Sequence, residues 1–135
     1  MIVPDIPQNA VAVAGHYDEL DPMYRRAWGD HLHHGLWVTG SEAPGEAVEA
    51  LVDTVGDRLG LLPGEACVDI GCGYGSTARR LALTRGVRVT GFTLSAEQAH
   101  YAAAHPVPDV DVRVGDWLDN GLPDASASAA WAIES

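Results

Sequence analysis

VDIGCGYGSTARRLA, residues Val68 to Ala82, sets three glycines at alternate positions after an apolar run and before a helix-forming run. A strand that turns into a helix rarely needs three glycines in five residues. Two readings compete: a tight turn, or a backbone kept bare so that a ligand can approach it. The first amides of the following helix have no partner inside that helix and point outward. Open parallel sheets bind ligands at the carboxyl ends of their strands, which is where this loop sits.

Working outward, strand and helix alternate. ACVDI reads as a short buried strand and Ser76 to Arg85 as a helix closed by Gly86. VRVTGFTL is a second strand, rich in β-branched residues, and Ser95 to His105 a helix stopped by Pro106. VDVRVGDW and ASAAWAIES give third and fourth strands. Such units predict a parallel sheet with right-handed crossovers. Upstream, Ser41 is placed to cap a helix whose Val48, Leu51, Val52, Val55 and Leu59 share one face, with Gly60 as its stop. Tyr17 to Trp28 carries a short helical pattern, and residues 1–15 read as a loose lead-in. The segment WGDHLHHGLW between these helices is dense in aromatic rings and histidines.

The 135 residues are enough for one small domain, and 8 basic against 19 acidic residues give a net charge of −11. All the basic residues are arginines. That balance argues against nucleic acid, which needs a basic face, and suits a cationic ligand. No apolar run approaches a membrane span, and the N-terminus lacks the basic region of a leader. Cys67 and Cys72 alone are a poor disulfide framework and a poor metal site, so a reduced, cytoplasmic protein is expected. His31, His33 and His34 have no carboxylate or cysteine pattern to complete a metal set, and none is expected.

The loop itself narrows the ligand. A dinucleotide fingerprint runs G-x-G-x-x-G/A with an acidic residue about 20 positions on. Here Ser76 stands at the third position and GFTLS carries no carboxylate. A phosphate-binding P-loop would need G-K-[ST], which does not follow.

VDIGCGYG resembles the first motif of class I S-adenosylmethionine-dependent methyltransferases, an acidic residue followed by G-x-G-x-G. GFTLSAEQ resembles the second motif in the form shared by tocopherol methyltransferases, small-molecule O-methyltransferases and cyclopropane fatty acid synthases. VGDW resembles the third motif, and WGDHLHHGLW the segment that closes over the cofactor. The resemblance runs from about Tyr17 to Ser135 in the family's order. It implies a Rossmann-like α/β fold with a partial parallel sheet of order 3-2-1-4 and an N-terminal helical lid. Residues 1–40 would be the lid and 41–135 a cofactor-binding portion that is incomplete at its C-terminus.

The resemblance also assigns roles. Gly71, Cys72, Gly73 and Gly75 would cradle S-adenosylmethionine, and Asp69 would fix the loop and the methionyl ammonium; loop capping is the alternative for Asp69. Thr93 and Gln98 would hold the ribose and Leu94 pack on the adenine or ribose. Ser95-x-x-Gln98 is equally a helix capping box, so contact and cap both stand for Gln98. Asp116 and Trp117, read as the end of the third strand, would bracket the adenine, against core packing for Trp117. Tyr17 would reach the cofactor's carboxylate, and Glu134 would face the methyl group. His33 or His34 would serve as a base on an acceptor hydroxyl, against pocket roof or solvated surface.

The expected reaction is methyl transfer to a small-molecule acceptor of natural-product, sugar or lipid-like chemistry. The alternatives are a cofactor-binding fragment or half of a split enzyme, and a non-methylating member such as a cyclase. The fourth strand is expected at the sheet edge with Trp131 poorly covered, open to self-association or to a missing C-terminal half.

Overall fold

The computed structural model describes residues 9–135. Four parallel strands form one sheet in the order β3-β2-β1-β4: β1 Ala66–Ile70, β2 Arg88–Thr93, β3 Val110–Val114 and β4 Ala129–Ala132. The expected order 3-2-1-4 is the one observed. Helix α3 (Ser76–Arg85) connects β1 to β2 and α4 (Ala96–Ala104) connects β2 to β3. Two right-handed crossovers in the same direction put both helices on one face.

α2 (Pro44–Leu59) joins that layer. Val52 of α2, Ala78 and Leu81 of α3, Cys67, Val89 and Trp131 of the sheet form the core. Trp131 is therefore not poorly covered. It is 5% exposed, because it projects from β4 toward the α2–α3 layer. Both cysteines are free and buried.

Three other expectations change. The first helix, α1, spans Ala10–Trp28 rather than starting at Tyr17, because the Asn9 side chain accepts the Ala12 amide and caps it earlier. The part of the expected lead-in before residue 9 lies outside the described residues. Ser41 does not cap α2. That helix starts at Pro44, and Glu46 reaches back to accept the Ala43 amide. Ser41 instead pairs with Thr39 in a turn held by Glu42, whose carboxylate takes the Thr39 and Gly40 amides and is pulled down to about 2. β3 stops at Val114, and a 3₁₀ turn (Trp117–Asp119) replaces the expected strand end at Asp116 and Trp117.

Candidate active site

A cavity opens at the carboxyl ends of β1, β2 and β4. Its floor is the loop after β1 and the turn after β2; its roof is α1 with residues 30–33. Asp69, Gly71, Cys72, Gly73, Thr93, Leu94, Gln98, Glu134, Tyr17 and His33 all line it. Gly75 stands behind, in the left-handed conformation at the start of α3.

The loop glycines answer different needs. A Cβ on Gly71 would collide with the Ser135 side chain, and one on Gly75 would press on Val112. Gly73 has φ +55°, and its Cβ would meet no protein atom within 4 Å. Protein packing accounts for the first two. The space beside Gly73 belongs to the cavity.

Asp69 lies under this loop, 3% exposed, with Oδ2 lacking any hydrogen-bond partner. Burial lifts its carboxyl to about 7, and the Trp131 indole N–H and Ala78 amide offset only part of that. A cationic ligand would supply the missing partner.

Gln98 is 4% exposed. Ser95 Oγ accepts the Gln98 amide at 3.1 Å, which is half of a capping box. The other half is absent: the Ser95 amide goes to Thr93 Oγ1 at 3.1 Å. Thr93 Oγ1 in turn donates to Gln98 Oε1 at 2.6 Å. The backbone of Gln98 is in the cap, while its side-chain NH₂ is left for the cavity.

In the roof, His33 is 6% exposed. Its Nδ1 donates to the His34 carbonyl at 2.8 Å, since a carbonyl only accepts. Nε2 lies 3.2 Å from His31 Nδ1 and 3.5 Å from Thr77 Oγ1. Both ring nitrogens are engaged. Burial and the neighbouring His33 push His31 down to about 4, so it is neutral near pH 7. His34 stands outside this pair, against Glu134.

The family model of mycolic acid cyclopropane synthetase matches residues 5–119. The chain belongs to that family. It is similar to the 27-O-demethylrifamycin SV methyltransferase of Amycolatopsis mediterranei, 38% identical over 124 residues that cover 88% of this chain and 46% of the relative. It is also similar to a probable chloroplastic tocopherol O-methyltransferase of Oryza sativa, 34% identical, covering 91% of this chain and 38% of the relative. Among solved structures, a [4+2] cyclase superposes with a TM-score of 0.87 at 31% identity, covering 95% of this chain and 50% of that one. The cyclopropane synthase MmaA2 of Mycobacterium tuberculosis gives 0.79 at 30%, covering 89% and 45%. The chain spans about half the length of these relatives, or less.

The cofactor of this methyltransferase family is S-adenosylmethionine, and a mycolic acid cyclopropane synthase has been solved with its demethylated product. The orphaned Asp69 carboxyl, the open space at Gly73 and the unused Gln98 amide suit a ligand with an ammonium and a sugar. Asp116 and Trp117 are not among the residues lining this cavity. Asp116 caps the 3₁₀ turn through the Leu118 amide, and Trp117 packs edge-on against Phe92 at 5.8 Å and lines a separate groove.

Sequence reasoning missed the carboxylates that hold the roof down. Asp18 accepts from Ser95 Oγ at 2.5 Å, Asp21 from Tyr74 at 2.8 Å, and Asp30 from Tyr101 at 2.7 Å. Asp21 is 4% exposed and also pairs with Arg25 at 2.7 Å. The signal was faint. An acidic residue among the mixed charged and apolar residues of a short helical pattern carries no mark of its own, and only its place facing Tyr74 gives it meaning. Among the described residues no cluster could hold a metal ion, and no helix is long and apolar enough to cross a membrane.

Proposed function

We propose that this chain binds S-adenosylmethionine and that the protein transfers its methyl group to a small-molecule acceptor. The observation that carries the reading is Asp69: a buried carboxyl with one oxygen, Oδ2, left without a partner under a glycine loop, in a chain of this family. When bound, the cofactor supplies an electrophilic methyl group on a sulfonium. Asp69 would hold the ammonium, and an ionic partner there offsets the cost of burying a carboxylate. Thr93, Leu94 and Gln98 would hold and pack the ribose, with the Gln98 amide as donor. Tyr17, from α1, would close on the methionyl carboxylate. Asp116 and Trp117 stand near the third-strand end and would bracket the base only from beyond the cavity wall seen here. The roof excludes water and holds the reactants in line, which is the main requirement of such a displacement.

Residues 1–40 would then act as lid and 41–135 as cofactor-binding portion, in a soluble, cytoplasmic setting. The similarity to a [4+2] cyclase supports a second reading, a cofactor-binding member that does not methylate. Transfer of label from the cofactor to an acceptor separates the two.

Calorimetry tests the binding step. S-adenosylhomocysteine should bind and NAD should not. Gly73→Val should abolish binding while the far-ultraviolet circular dichroism is retained, because the added methyls fill the ligand's approach. Tighter binding of NAD would overturn the reading.

A further inference from the structure

Among the described residues, three buried side-chain atoms have no hydrogen-bond partner: Asp69 Oδ2, Trp131 Nε1 and Arg85 Nε. Arg85 already pairs with Asp57 through another nitrogen. The other two atoms belong to neighbours. Asp69 in β1 stands opposite Trp131 in β4, and register partners present their side chains to the same face of the sheet. A buried indole N–H normally finds a partner, and one left unpaired costs free energy. The core around Trp131 is apolar, built from Val52, Leu81 and Val89. A phenylalanine would fill that space with no donor to leave unpaired. Packing therefore does not explain the polar tip of Trp131, and Asp69 lies beside it.

The other surroundings of Asp69 offer little. On the β2 side its register partner is Gly91, where a Cβ would collide with the Cys72 sulfur. The Cys72 thiol is directed at the Gly73 carbonyl at 3.7 Å, and burial keeps it protonated. From α3 comes the Ala78 amide. None of these groups is charged. Burial lifts the Asp69 carboxyl, and the indole N–H, though it makes no hydrogen bond in the free chain, lies near enough to pull against that rise. Trp131 is not among the residues lining the cavity, so it acts on a ligand only through Asp69.

We propose that Trp131 is the positioning residue for Asp69: when the carboxyl ionises to meet a ligand's ammonium, the indole N–H donates to it and holds it aimed into the cavity. The inference rests on the cofactor-binding reading above and deepens it by naming what keeps the central carboxylate of that site in place. An ionised carboxylate has about four lone-pair sites, so the indole and the ammonium share it without competing. The indole only donates, and its bond strengthens as the acceptor gains charge. The side chain that fills the core between β4 and α3 thereby lowers the cost of charging the site.

Two measurements test it. In the free chain, the Trp131 indole ¹H–¹⁵N signal and the Asp69 carboxyl ¹³C signal should move with pH about a common midpoint. Asp30, His31, His33 and Glu134 are the other carboxylate and histidine groups on the cavity wall. Asp69→Asn leaves them in place and should flatten the indole curve. An indole signal that ignores Asp69 would overturn the pair. In calorimetry of S-adenosylhomocysteine, Trp131→Phe should bind about tenfold more weakly at pH 7. It should converge with the unmodified chain toward pH 9, because loss of the donor raises the pH at which Asp69 ionises. A purely structural role would weaken binding equally at every pH; that result, or unchanged affinity, would overturn the proposal. If Trp131→Phe does not fold by circular dichroism, the titration of the unmodified chain decides alone. Failure of the unmodified chain to bind at any pH would instead sink the cofactor-binding reading, and the ligand half of this proposal with it.

Discussion

The floor and the roof of the cavity are built by different means. The floor is backbone: β1 between two strand neighbours, a glycine loop whose φ angles only glycine takes easily, and a turn closed by Thr93, Ser95 and Gln98. The roof is an amphipathic helix and a short irregular segment, held by side chains. Asp18, Asp21, Asp30 and His34 each reach a partner on the sheet layer or its helices. A floor fixed by strand pairing opens only with the sheet. A roof held by a few polar contacts, each contributing about 1 kcal/mol, can open alone. A ligand enclosed on all sides needs one such movable wall.

The sharpest way to break this contrast is at Asp69. Its carboxyl keeps its proton up to about pH 7 in the folded chain, against about 3.9 unfolded. The stability this group contributes is complete below about pH 4 and is lost as pH rises through 7. That difference corresponds to about 4 kcal/mol. Urea midpoints should therefore fall from pH 4 to pH 8 in the unmodified chain and run flatter in Asp69→Asn. The same variant should lose affinity for S-adenosylhomocysteine. Parallel pH curves for the two proteins would show that Asp69 is solvated after all.

Tyr74→Phe attacks the roof. It removes the donor to buried Asp21, which keeps Arg25, and should cost about 1–3 kcal/mol. The bound product should dissociate faster, by about tenfold, with the sheet intact by circular dichroism. An unchanged dissociation rate in stopped-flow measurements would mean that the roof does not gate release.

Gln98→Ala should have the smallest effect on stability, about 1 kcal/mol or less, because the cap bond from its backbone to Ser95 survives. Ligand affinity should still fall several-fold. If affinity holds while stability drops, the side chain serves the Thr93 turn alone.

The floor was the legible half. Alternating glycines after an apolar run fix where a strand ends and a helix begins, and α3 starts and stops at the residues read from the sequence. The sheet order followed from the resemblance and the crossover rule together. Less was legible where tertiary pairing decides. Trp131 looked exposed because its cover comes from α2 and α3, far away in sequence. Asp116 and Trp117 looked like a strand end because VRVGDW continues the alternation. The chain instead breaks at Gly115, and Asp116 spends its carboxylate on a local cap. Gln98 keeps both readings: its backbone is in the Ser95 cap, while the Ser95 amide goes to Thr93 and not to the Gln98 side chain. The roof carboxylates left no periodic mark, since each pairs across a long sequence separation.

Those separations bear on how the chain is made. Synthesis runs from the N-terminus at roughly 5–20 residues per second. Asp18 leaves the ribosome 77 residues before Ser95, and His34 100 residues before Glu134. α1 is thus made well before the residues it packs against. For several seconds the carboxylate of Asp21 has no Tyr74 to pair with. The groups that fasten the roof are thus charged and hydrated until their partners are made.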